Sequence, residues 1–235
     1  MRWITFALIL VYVMAFISGF LLGGYYVASH SGSKAMVYAA AVVSGGGGTL
    51  AEVWAEVRPG SGRVFLTVNP KSELDTQESA EIAASVASRL AGVPLLFHDI
   101  AFTINAPSVI VGGPSAGAAM TVAAYAALTG KTPRSDVVVT GEILPDGRIG
   151  PVGGLVEKLQ ACADNGIRVF LIPKGERYVR IAQPVTKRSE PVPGVVVIQK
   201  SVQWKVVDLV EMGKELGVEV VEVSDIRDVL PYFFS

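Results

Sequence analysis

Gly113-Pro114-Ser115-Ala116-Gly117 sets a serine between glycines, after an apolar run (Phe102–Val111) and before an alanine-rich one. The first run reads as a strand and the second as a helix from Ser115 to Leu128, closed by Gly130. A serine at that junction sits at a helix N-terminus, where unpaired N–H groups and the helix dipole favour a developing oxyanion. The flanking glycines let another backbone come close. The same residues fit the G-x-S-x-G formula of a nucleophile elbow, which needs an acid and then a histidine further on. Both histidines, His30 and His98, precede Ser115, so that triad is excluded by inventory. His98 beside Asp99 gives poor support to another order, because adjacent strand residues point to opposite faces. A nucleophilic serine still needs a base, and lysine is the remaining common choice.

Lys158 lies in a predicted helix over Gly154–Asn165, whose apolar stripe is Leu155, Leu159 and Cys162. It borders that stripe, while Glu157, Gln160 and Asp164 take the opposite side. Apolar surroundings would lower its pKa and supply a neutral amine. Periodicity alone favours the plainer alternative, a lysine snorkelling outward from a helix edge.

Around these residues the pattern alternates. Ala35–Val43, Leu50–Val57 and Arg63–Val68 read as an antiparallel meander, broken by Gly45–Gly48 and by Pro59-Gly60-Ser61-Gly62. A helix over Thr76–Leu90, strands Asp136–Thr140 and Arg168–Ile172, and the two helices above imply an α/β core with a mixed sheet. Lys174–Gln203 is Pro-rich and polar and reads as a long excursion. A helix over Trp204–Leu216, a strand over Val218–Val223 and a short helix from Asp225 complete the reading.

Three ordered blocks resemble the Lon (S16-type) peptidase domain. They are Gly113-Pro114-Ser115-Ala116-Gly117, Thr140-Gly141-Glu142, and Gly153-Gly154-Leu155-Val156-Glu157-Lys158. The resemblance runs from the Glu78-Ser79-Ala80 helix through Ile172-Pro173. It implies that Ser115 is the nucleophile and Lys158 the general base. It also implies that Thr140 orients the lysine, although an ordinary β-branched strand residue explains Thr140 equally well. Gly113, Pro114, Ser115 and Ala116 would then shape an oxyanion hole. Many members carry an acid three residues before the serine, where this chain has Gly112, and the excursion at 174–203 is longer than the family pattern. Peptides or unfolded protein segments are the implied substrates, and homologous domains often assemble into rings.

Composition narrows the setting. The 235 residues carry a net charge of −1, with 17% charged and 51% hydrophobic residues, which gives no sign of nucleic-acid binding. One cysteine and two histidines leave little material for a metal site, and no cofactor is called for. Trp3–Ala28 holds no charged side chain and as a helix would run about 39 Å, against about 30 Å of hydrocarbon. Residues 1–28 therefore read as a transmembrane anchor, with a cleaved signal ending at Val27-Ala28-Ser29 as the alternative. Residues 29–34 read as a linker and 35–235 as the catalytic domain. Arg2 before the span favours an extracytoplasmic domain. The length leaves no room for an ATPase module, and Gly130-Lys131-Thr132 reads as a helix end rather than a phosphate loop, so ATP-independent cleavage is expected. Rival readings are a signal-peptidase-like Ser–Lys enzyme, a non-catalytic membrane-tethered binding module, and nucleotide binding at Gly112–Gly117.

Overall fold

Small and β-branched residues alternating in burial along the first two strands build the centre of a seven-stranded sheet. The computed structural model describes residues 10–20, 33–43, 45–69, 74–107, 114–192 and 195–234. Its main elements are β1 (Ser33–Val42), β2 (Gly48–Pro59), β3 (Val64–Asn69), α2 (Leu74–Ala91), β4 (His98–Asn105), α3 (Gly117–Thr129) and β5 (Val137–Val139). There follow a small hairpin, β6 (Glu142–Ile143) and β7 (Ile149–Gly150), then α4 (Leu155–Asp164) and β8 (Val169–Pro173). The chain continues as β9 (Tyr178–Val192), β10 (Val195–Asp208), α5 (Leu209–Leu216), β11 (Glu219–Val223) and α6 (Ile226–Phe233). Residues 10–20 are helical and form α1.

The sheet order is β11-β8-β5-β1-β2-β4-β3. Every neighbouring pair is parallel except the two that involve β2, so β2 alone runs against the other six. Helices cover both faces. Val37, Ala39, Val53, Phe102 and Val139 pack with α2, α3 and α6, while Ala40, Val138, Phe170 and Ile172 pack with α4 and α5. α3 is apolar all round and buried over nearly its whole length, as a helix enclosed on every side must be.

Two expectations are corrected. The first three strands are not a meander, because β4 lies between β2 and β3 and pairs parallel with β3. The turn after β2 is built around Asp99 at the start of β4, whose carboxylate accepts from the Ser61 and Arg63 N–H groups at 2.8 and 2.9 Å. A side chain at Gly60 would run into that carboxylate. A four-residue turn signal does not distinguish strands that pair from strands that straddle a third.

The excursion and the start of the next helix are in fact one long antiparallel ribbon, β9–β10. Prolines argued against strand here, yet both strands of a two-stranded ribbon are edges, where proline is tolerated. Pro184 stands opposite Val202. The helix starts only at Leu209, because Asp208 caps it by accepting from the Val210 and Glu211 N–H groups. Asp208 also pairs with Arg177 at 2.6 Å, and that guanidinium holds its carboxyl down at about 2. The root of the ribbon and the start of α5 are thereby clamped together.

The anchor and linker (1–28 and 29–34) lie largely outside the described residues. Among the described residues no helix is long and apolar enough to cross a membrane. In α1 every residue from 10 to 20 is exposed.

Candidate active site

The two helical layers meet over the carboxyl end of β5, as ligand sites in parallel sheets commonly do. Val138 faces one layer and Val139 the other. Thr140, the next residue, stays tied to the sheet by donating its N–H to the Leu171 carbonyl at 3.0 Å. On one side of it stands the 3-10 turn Pro114–Ala116 that leads into α3. On the other stands α4.

Backbone bonds fix the serine turn. The Gly141 N–H donates to the Ser115 carbonyl at 3.1 Å, and the Ala118 N–H donates to the Gly141 carbonyl at 3.0 Å. Gly117 makes this approach feasible. A Cβ there would lie 2.7 Å from Ile143 Cγ2 and 2.8 Å from the Ile143 nitrogen. Ser115 itself is half-buried.

Lys158 does not snorkel. It is 3% exposed and shares the inner face of α4 with Leu155, Leu159 and Cys162. Its Nζ donates to Thr140 Oγ1 at 3.1 Å. The Thr140 hydroxyl in turn donates weakly, at 3.5 Å, to the Ser115 carbonyl. Thr140 thus bridges the lysine and the serine turn.

Burial pushes Lys158 from its ordinary 10.5 down to about 8, with Cys162 and Glu157 pulling the other way without outweighing it. Burial also pushes the Cys162 thiol up to about 12, with the neighbouring Lys158 charge pulling the other way without outweighing it. At pH 7 about one lysine in ten is then a free amine, against about one in 3,000 for an ordinary lysine.

Of the other expected site residues, Gly113 lies outside the described residues, as does Gly112. Pro114 has no N–H and can shape the turn but not donate. Ser115 and Ala116 remain as described donors, and among the described residues no side chain caps α3. His98 is buried at the start of β4, with Nδ1 3.2 Å from the Pro94 carbonyl.

Two positioning features were missed in the sequence. The β6–β7 hairpin that backs Gly117 was signalled by Pro145-Asp146-Gly147, a turn sequence. Gly48, expected in a flexible turn rather than in a mobile loop near substrate, faces the backbone of α4, where a Cβ would run into the Glu157 carbonyl.

The bridge at Thr140 carries a prediction. Thr140→Val keeps the shape and removes the acceptor that favours the charged lysine. The expected result is a lower apparent pKa for Lys158 and about a tenfold lower turnover, from a base no longer held in place. A pH–rate profile reads both. A profile unchanged in position and height would contradict this role.

A buried lysine, a hydroxyl bridge and a serine turn thus come together at the end of a parallel strand. The profile of the Lon protease (S16) C-terminal proteolytic domain matches residues 28–188, and this chain belongs to that family. It is 39% identical to the Lon protease of Phenylobacterium zucineum over 137 residues, which cover 56% of this chain and 17% of that protein. Against Lon protease 2 of Sorangium cellulosum the identity is 41% over 137 residues, again 56% and 17%. Against Lon protease 1 of Thermus thermophilus it is 39% over 132 residues, 54% and 17%. The chain thus spans about a sixth of the length of these relatives.

Proposed function

We propose that this chain is a serine peptidase in which Ser115 is the nucleophile and Lys158 the general base. The observation that carries the reading is Lys158 Nζ, buried and held on Thr140 beside the Ser115 turn. Neutral Lys158 takes the proton of Ser115 Oγ as that oxygen adds to a peptide carbonyl. In this reading the N–H groups of Ser115 and Ala116 meet the oxyanion. Lys158 then protonates the leaving amine, and the C–N bond breaks to leave an acyl-serine. Water, deprotonated by Lys158, attacks that ester, and Lys158 returns the proton to Ser115 Oγ as the acyl C–O bond breaks and the acid leaves.

The reading extends to cleavage of unfolded segments without ATP, by a domain tethered to a membrane. Gly130 caps the end of α3 at φ 66°, and Lys131 lies over the Tyr125 and Phe234 rings. That segment therefore closes a helix, whereas a phosphate loop opens one. The tether rests on the uncharged run from Trp3 to Ala28 and on the exposed apolar surface of α1. The charge before the span favours the extracytoplasmic side. The test is hydrolysis of casein by the full chain, with and without ATP. The expected result is activity that ATP does not stimulate and that Ser115→Ala abolishes. Activity surviving Ser115→Ala would overturn the reading, and ATP stimulation would overturn its ATP-independent part.

A further inference from the structure

The large exposed apolar side chains fall mainly on two elements, α1 and the β9–β10 ribbon. From Ile198 to Val206 every residue of β10 is exposed, a length of about 30 Å. The register puts Ile198 opposite Arg188, Lys200 opposite Thr186, Val202 opposite Pro184, Trp204 opposite Ala182 and Val206 opposite Arg180. Directly paired residues share a face, so these pairs form one stripe that is apolar and cationic, with the aromatic Trp204 in the fourth of its five pairs. Trp204 is 71% exposed. The other face carries Gln199, Ser201, Gln203 and Lys205.

The charge is just as uneven. Between Tyr178 and Val207 stand Arg180, Lys187, Arg188, Lys200 and Lys205 against Glu190 alone. The ribbon is therefore +4 in a chain of net −1, and the remainder is −5. We propose that the Ile198–Val206 stripe of the ribbon lies on an anionic lipid surface, with its cations at the headgroups and Trp204 at the interface. Charge complementarity selects this occupant, because anionic lipid attracts such clusters and interfacial aromatics sit at that depth. The lipid surface is the one that α1 enters, so the inference rests on the tether proposed above.

The experiment uses the full chain carrying Trp3→Phe and Trp54→Phe, reconstituted into phosphatidylglycerol or phosphatidylcholine vesicles containing brominated lipid. The expected result is Trp204 emission that is blue-shifted and quenched in phosphatidylglycerol, and restored by Arg180→Glu/Arg188→Glu/Lys200→Glu. Reconstituted chain whose Trp204 stays unquenched would overturn the ribbon contact and leave the tether standing. A blue shift without bromine quenching, which a second copy or a bound peptide would give, would overturn it too. A second variant, Val13→Asp/Phe16→Asp, disables α1. If it still binds phosphatidylglycerol and the triple reversal weakens that binding about 100-fold, the ribbon contact holds where the tether fails. Binding to neither vesicle by the parent would sink both.

Discussion

Lys158→Met is expected to lower turnover about 10³-fold or more while making the chain more stable at neutral pH. Both effects come from one fact, the burial that pushes this lysine from 10.5 down to about 8. The sign follows from proton counts. Between pH 8 and 10.5 the unfolded chain holds a proton here that the folded chain has lost, so stability rises with pH across that window. Below pH 8 both states are protonated, and folding bears the full cost of burying the ammonium. At about 1.4 kcal/mol per pH unit, that cost is about 3 kcal/mol. Methionine fills the same space without charge, but it leaves Thr140 Oγ1 with only its weak bond to Ser115, a loss of about 1 kcal/mol. A net gain of about 2 kcal/mol at pH 7 is expected, reversing above pH 10.5 to a net loss of about 1 kcal/mol, because only the lost Thr140 bond then remains. Denaturant unfolding at pH 7 and pH 10.5 measures it. Equal stability of parent and variant at both pH values would mean that the lysine is not held charged in an apolar site.

Gly48→Ala is expected to cost about 100-fold in turnover without touching any reacting group. The first residue of β2 lies against α4 at the carbonyl of Glu157, the residue before Lys158. A methyl group there cannot be relieved by a rotamer change, since its neighbour is backbone. Either the β1–β2 hairpin or the first turn of α4 must move. α4 is also pinned at Gly154, which has φ 69° and closes on Val42, so the strain falls on the segment that aims Lys158. Misplacing a reacting group by about 1 Å costs about 100-fold, and overpacking destabilises by about 1–3 kcal/mol. The variant should lose turnover far more than substrate affinity, which steady-state kinetics separates. An equal fall in affinity, or full activity, would place α4 elsewhere in the energetics.

The site was more legible in the sequence than its surroundings. Ser115, Thr140 and Lys158 stand in three short blocks whose order resembles one family, and the structure brings the three together. Periodicity alone misjudged Lys158. A lysine at the border of an apolar stripe snorkels only if the stripe's edge is open, and here the end of β5 closes over it. The order of the sheet was not legible, because Asp99 reaches the turn at 61–63 from 36 residues away along the chain, beyond any local pattern. The ribbon was hidden by its prolines, which mark a loop in a central strand and an edge in a ribbon. Gly48 looked like one more turn glycine, since nothing in its neighbourhood of sequence names α4 as the surface it must clear.

The central claim is that neutral Lys158 activates Ser115, and acylation of the full chain by a serine-directed reagent tests it without knowledge of the substrate. The rate is measured from pH 6 to pH 10, with the adduct located by mass spectrometry. The account predicts one adduct, on Ser115, forming at a rate that rises with a midpoint near the lysine's pKa of about 8 and collapses in Lys158→Met. An adduct on another residue, or a Ser115 rate that is the same in Lys158→Met, would contradict it.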